Sequence, residues 1–231
     1  MSLQQVVKST FARMGYRLMR ESSFEAAVRH EARQMAREMA RAEAQRRDAE
    51  AATDGSLTEE DYAFLRELVQ EANTVPGPII EIGTLFGRTT SKMALWKAPG
   101  KKIITIDNYS WNPLRLSPEW HYHMTELVLQ YLCESGQVIQ VRADKEEWFN
   151  RYDGEAPALV FCDADHSYEP TVRDIEFALE VGAQIISGHD YSPHYPGTMR
   201  AVDEHGGYRA LHGTVWALRT PAGLRSGGYG R

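Results

Sequence analysis

The sequence predicts an α/β protein built on a doubly wound, mostly parallel sheet, and three observations carry that prediction. From Pro78 onward, short continuous apolar runs alternate with helical stretches, the pattern of strands buried on both faces. Proline and glycine clusters such as Val75-Pro76-Gly77-Pro78 and Pro99-Gly100 separate them, marking where elements stop. Successive runs also end on acidic residues, at the edge where open parallel sheets bind ligands. The 231 residues fit one catalytic domain and an appendage.

The appendage is a helical extension over residues 1–55, and the domain that follows spans 56–231. Residues 1 to about 54 are rich in Arg, Glu, Ala and Met, with no proline and one glycine, Gly15. Val28, Ala32, Met35, Met39 and Ala42 make a narrow seam at alternating spacings of four and three. Three roles fit that helix: packing on its own domain, a homodimer contact, or a basic membrane-surface helix. Asp54-Gly55-Ser56 ends it, and Leu57-Thr58-Glu59-Glu60 is a capping sequence for a helix carrying Tyr62, Phe64, Leu65, Leu68 and Val69.

Ile79-Ile80-Glu81-Ile82 is the first strand, running into Gly83, and a helix through Lys92–Trp96 follows. Ile103–Ile106 is the second strand, ending on Asp107; a mixed segment leads to a helix over Met124–Cys133. Val138–Val141 is the third strand, Ala158–Cys162 the fourth, and Gln184–Ser187 the fifth, with a helix over Thr171–Leu179 before it. Tyr208–Leu211 and Thr214–Leu218 close the sheet as an antiparallel pair, and the Gly- and Arg-rich end from Arg225 to Arg231 reads as a disordered tail.

Composition narrows the function. A formal net charge of −6 argues against nucleic acid, which demands clustered Lys and Arg. No apolar run approaches the roughly 20 residues of a membrane span. The opening MSLQQVVKST lacks the apolar core of a secretory signal, so the cytoplasm is the expected compartment. Cys133 and Cys162 make no disulfide framework, and Cys162 reads as a small buried hydrophobe.

The strand ends carry the chemistry. Glu81-Ile82-Gly83-Thr84-Leu85-Phe86-Gly87 is a glycine turn opening a helix, where backbone can approach a ligand. Gly83 and Gly87 lack the middle glycine of a dinucleotide fingerprint, and Leu85 and Phe86 would crowd a pyrophosphate. A nucleoside ligand without phosphates fits better, and Glu81 suits a cationic group. Asp107 lies about 20 residues further on, where an acidic residue accepts ribose hydroxyls. Strand three leads to Asp144, strand four to Asp163-Ala164-Asp165-His166, and strand five to His189-Asp190-Tyr191. His121-Tyr122-His123 reads as no metal pair, because on a helix these side chains diverge. Tyr109, Trp111 and Trp120 fit either ligand stacking or packing. Asp174 reads as a structural partner of Arg173 or a cap.

The glycine turn followed by Ile106-Asp107 resembles motifs one and two of class I methyltransferases. Val160-Phe161-Cys162-Asp163-Ala164-Asp165-His166-Ser167-Tyr168-Glu169, then Arg173-Asp174, resembles the family of macrolide-sugar and related small-molecule O-methyltransferases. An Asp-x-Asp-His-Ser-Tyr signature and a later His-Asp-Tyr recur there. The resemblance covers roughly residues 57 to 220 and implies a Rossmann-like sheet and S-adenosyl-L-methionine as cofactor. Glu81, Gly83 and Thr84 would line its methionine portion, Asp107 and Asn108 its ribose and Asp144 its adenine, with Phe86, Gly87 and Asp163 completing the set.

In metal-dependent relatives, Mg2+ or another divalent ion is held by residues that map onto Asp163, His189 and Asp190. Here His189 stands where an acidic residue is usual, and histidine is a less natural magnesium ligand than oxygen. Without metal, His166 is the first candidate base and His189 the second, beside Asp163. The expected reaction is O-methylation of a small-molecule hydroxyl on a sugar or natural product. Two alternatives stay open: a metal-dependent hydroxylase-like member of the same fold family, and a non-catalytic nucleoside-binding or scaffold protein.

Overall fold

The computed structural model describes residues Leu57–Leu218, with His30, Arg33 and Gln34. The chain separates into two compact units, Met1–Ala51 and Ala52–Arg231. In the first, the three described residues are helical. The Val28-to-Ala42 seam, a dimer contact through it and the Arg225–Arg231 tail lie outside the described residues.

Seven strands form one sheet: β1 (Ile79–Ile82), β2 (Ile103–Asp107), β3 (Val138–Arg142), β4 (Leu159–Cys162), β5 (Ile185–Gly188), β6 (Tyr208–His212) and β7 (Val215–Leu218). Their order is β3-β2-β1-β4-β5-β7-β6. The first five run parallel, and β7 lies antiparallel to both β5 and β6. Ile82 pairs with Ile106 on one side and Cys162 on the other. The chain therefore reverses its direction of travel across the sheet at β1, and a crevice opens there beyond the carboxyl ends.

Among the described residues, six helices cover the faces: α1 (Glu59–Ala72), α2 (Arg88–Trp96), α3 (Pro118–Glu134), α4 (Lys145–Phe149), α5 (Tyr168–Glu180) and α6 (Pro196–Glu204). Period-two alternation sends Ile79, Leu159 and Phe161 into one core with Leu65, Leu68, Met93 and Leu129 of α1–α3. Ile80, Ile82, Val160 and Cys162 enter the other with Phe149, Ile175, Phe177 and Val202 of α4–α6. The expected α/β class, the five parallel strands and the closing pair all stand. Among the described residues no helix is long and apolar enough to cross a membrane.

Three helices differ from the sequence reading. The third begins at Pro118, not Met124, because Ser117 caps it and proline is tolerated in the first turn. Its buried stripe is His121, Thr125 and Leu129, while Trp120, Leu127, Val128 and Tyr131 face outward. The short α4 is defined by the Asp144 cap. No helix is read from the sequence at α6, which Pro196-Gly197 opens.

Phe177 anchors the second core. It stacks on Phe149 at 4.0 Å and 5°, with the Trp148 and Tyr152 rings edge-on at 5.7 and 5.9 Å. Truncating so enclosed a ring loses its transfer energy and leaves a cavity. Phe177→Ala is expected to cost about 3–5 kcal/mol, read as a lower midpoint in urea unfolding at unchanged slope.

Candidate active site

The turn after β1 is folded around one carboxylate. Asp107 Oδ2 accepts the backbone amides of Thr84 and Leu85 at 3.0 and 2.9 Å. Its Oδ1 accepts the Tyr109 amide at 2.6 Å. Leu85 and Tyr109 take left-handed backbone, φ 47° and 61°, which few non-glycine residues adopt. Two glycines make the turn possible. Gly83 has φ +100°, and a Cβ there would fall 2.1 Å from the Asp163 carbonyl oxygen; Gly87, φ +75°, leaves room only for Leu129. The close approaches are thus to the protein's own backbone and core.

Glu81 lies beneath this turn, fully buried. Its Oε2 accepts the Thr90 and Thr105 hydroxyls, the latter at 2.6 Å. Thr105 in turn meets Thr84 Oγ1 at 2.6 Å. Oε1 is buried with no partner. Burial pushes the Glu81 carboxyl up to about 8; the two threonines oppose this, and the charges of Asp163 and Asp107 reinforce it.

His121 ties two loops together. It is fully buried, with Nε2 3.0 Å from the Leu85 carbonyl oxygen and Nδ1 3.2 Å from that of Tyr109. The ring packs against Phe86 at 4.7 Å and Tyr109 at 5.1 Å. A neutral imidazole can donate to one carbonyl, an imidazolium to both.

Beyond β4 and β5 a second group converges. His189 Nδ1 lies 3.3 Å from Asp163 Oδ1 and 3.4 Å from Asp190 Oδ2. His166 Nε2 sits 3.1 Å from the same Asp190 oxygen. Asp190 has φ 62°, strain of the kind found at functional sites. His189 is 5% exposed, and its Nδ1 has no hydrogen-bond partner. Burial works against charge on this ring, yet Asp163, Asp190 and Asp61 hold its pKa well above the usual imidazole value. Burial likewise raises Asp163, against the pull of His189 and His166.

The other residues of the Asp-x-Asp-His-Ser-Tyr stretch shape the loop. Asp165 Oδ1 accepts the Ser167 amide at 2.8 Å and its hydroxyl, and Tyr168 bonds Glu204 under the Arg200 guanidinium. His166 packs edge-on to Tyr195 at 4.7 Å. Asn108 is exposed and accepts the Ser110 amide at 2.9 Å. Asp144 is exposed and caps α4 through the Glu146 and Glu147 amides. Asp174 pairs with Lys145 at 2.5 Å, whereas Arg173 pairs with Glu146 at 2.9 Å. Tyr109 is buried, with Gln140 donating to its hydroxyl, and Trp111 and Trp120 are exposed.

Three contributors escaped the sequence reading. Asp61, one residue past the expected capping sequence, places Oδ2 3.6 Å from His189 Nε2. Trp216 of β7 donates from Nε1 to the His189 carbonyl at 3.1 Å. Thr105 is the polar residue inside an otherwise apolar strand, a signal that was available.

No protein-family model matches the sequence, and no curated protein matches it at a significant level. Solved structures do match. CalS11, a calicheamicin methyltransferase, is 22% identical with a TM-score of 0.54, over 69% of this chain and 78% of that one. An O-methyltransferase from Bacillus cereus, solved with S-adenosylhomocysteine, is 18% identical with a TM-score of 0.55, over 93% and 97%. TomG from Streptomyces achromogenes, an O-methyltransferase of tomaymycin synthesis solved with S-adenosylmethionine, is 16% identical with a TM-score of 0.54, over 95% and 100%. The chain shares the Rossmann-like fold of these methyltransferases.

Two predictions follow from the buried polar groups. Folded Glu81 holds a proton at pH values where the unfolded chain, with a carboxyl pKa near 4.3, has released it. Its contribution to stability is therefore full below about pH 4 and is lost as pH rises toward 8. Melting curves of the ligand-free protein should show wild type losing stability relative to Glu81→Gln between pH 5 and 8. Parallel pH profiles would contradict the assignment. Separately, His121→Ala removes the tie between two loops, at roughly 1 kcal/mol per hydrogen bond. Amide exchange at residues 84–87 and 109–111 should accelerate about tenfold or more.

Proposed function

We propose that this chain is an S-adenosylmethionine-dependent O-methyltransferase acting on a hydroxyl of a small molecule, a sugar or natural product. The observation that carries the reading is the pairing of two features across the β1–β4 crevice. On one side stands a phosphate-free glycine turn closed on Asp107; on the other stands the Asp163, His166, His189 and Asp190 group. The fold shared with CalS11, described as a TDP-rhamnose 3′-O-methyltransferase, supports it.

When bound, S-adenosylmethionine supplies a methyl group on a sulfonium, whose sulfur keeps the bonding electron pair as the methyl leaves. The turn at Gly83, Thr84, Phe86 and Gly87 would line the methionine end, and buried Glu81, whose Oε1 has no partner, would pair with its ammonium on giving up the proton held in the ligand-free protein. Asp107, with Asn108 beside it, would accept a ribose hydroxyl through the one acceptor site that the three loop amides leave on Oδ1, and Asp144 would border the adenine. Displacement at the methyl is in line, so the chain's main work is to position the acceptor oxygen and take its proton. His166 suits that role: Asp190 accepts from Nε2, leaving Nδ1 to receive the proton and stabilising the imidazolium that results.

The donor set of Asp163, His189 and Asp190 also fits a divalent ion. One ligand atom from each lies within 4.8 Å of the others, and buried Nδ1 lacks a partner. An ion held there would lower the pKa of an acceptor hydroxyl and orient it. We place the enzyme in the cytoplasm, with no nucleic-acid partner.

Isothermal titration with S-adenosylhomocysteine and with NAD tests the reading. Micromolar binding of the former, lost in Asp107→Ala, is expected. Binding of NAD alone would overturn it.

A further inference from the structure

The third residue of α1 reaches the carboxyl edge of the sheet. Asp61 is 1% exposed, and its Oδ2 accepts the Thr58 amide and hydroxyl at 2.8 and 2.6 Å. Oδ1 accepts the Thr214 amide at 2.7 Å from the β6–β7 turn. That turn is shaped around the carboxylate: a Cβ on Gly213 would fall 2.3 Å from Oδ1. Capping a helix requires none of this burial, since a capping carboxylate works at the surface.

The burial brings Oδ2 to 3.6 Å from His189 Nε2, a few tenths of an ångström outside a direct hydrogen bond. The opposite nitrogen, Nδ1, is buried, unpartnered and aimed at Asp163 and Asp190, 3.3 and 3.4 Å away. A neutral imidazole carries one proton. If Nδ1 is to offer a lone pair to a cation, the proton must sit on Nε2, facing Asp61. Carboxylate, histidine and metal in that order fix a ligand's tautomer and ring orientation in known metal sites.

We propose that Asp61 is a positioning residue that holds His189 with Nε2–H toward itself and Nδ1 free as a ligand, so that the cluster takes a first-row transition ion in preference to Mg2+. Two carboxylate oxygens and one imidazole nitrogen suit Mn2+, Co2+ or Zn2+, whereas Mg2+ asks for oxygen in octahedral array. The inference deepens the methyltransferase reading and rests on it for what the ion does, though not for the geometry.

The test uses full-length, chelator-treated protein titrated with Mn2+ and separately with Mg2+, bound Mn2+ being read by electron paramagnetic resonance. Wild type should bind Mn2+ more tightly than Mg2+. Spin-echo modulation from a directly bound nitrogen should be present, and absent in His189→Ala. Asp61→Ala and the near-isosteric Asp61→Asn should weaken Mn2+ binding by about 10–100-fold, with a much smaller change for Mg2+. Ser117→Ala breaks a helix cap that touches neither Asp61 nor His189 and should keep wild-type Mn2+ affinity. Wild-type Mn2+ affinity in Asp61→Asn would overturn the proposal. So would an equal loss in Ser117→Ala, or no Mn2+ binding by wild type. Binding of S-adenosylhomocysteine to the metal-free proteins is measured in parallel. Its failure in wild type would sink the methyltransferase reading and leave the Mn2+ affinities to decide for Asp61.

Discussion

The carboxylate of Asp107 closes the end of β2 onto the turn that leaves β1, and much of the carboxyl edge is arranged around that closure. Three backbone amides from two loops converge on its oxygens. Charged acceptors of this kind contribute about 1.5–3 kcal/mol per bond, enough to hold Leu85 and Tyr109 in left-handed backbone. Once Leu85 is so placed, its carbonyl points at His121 and Thr125, which anchors α3. The turn then enters α2 at Gly87, whose carbonyl accepts the Ser91 amide at 3.0 Å. One acidic residue at a strand end therefore organises two loops and two helices.

The cluster beyond β4 and β5 obeys a different constraint, the balance of charge where water is scarce. Asp163, Asp190 and Asp61 surround His189, and His166 takes the remaining side of Asp190. Bare carboxylates so close together would repel one another strongly. Imidazoles between them relieve that repulsion, and a cation would do so further. The left-handed backbone at Asp190 is flanked by two backbone hydrogen bonds, from His189 to the Cys162 carbonyl at 3.1 Å and from Tyr191 to the Thr214 carbonyl at 3.0 Å.

The sheet was legible because its signals are local. Apolar runs such as Ile79–Ile82 and Ile103–Ile106 are buried on both faces, and periodicity reports that directly. The acidic strand ends were legible for the same reason, since topology alone places Asp107, Asp163 and Asp190 on one edge. What sequence hid was pairing across distance. Asp61 completes the Thr58 capping box, but nothing near it in sequence says that His189 lies opposite. Lys145 as the partner of Asp174 and Trp216 as a donor to the His189 carbonyl are likewise contacts made by folding. In α3 the first turns were missed, because there the buried residues are His121 and Thr125, which serve the loops, and only from Leu129 onward does the helix feed the core.

The contact at Gly83 has a consequence for how such a protein can change. Its α-carbon sits so close to the Asp163 carbonyl that the glycine turn after β1 and the carboxylate group after β4 share one wall. A side chain there would push the two strands' ends apart and disturb both loops at once. The two loops are therefore bound to vary together, and neither can be reshaped at this seam alone.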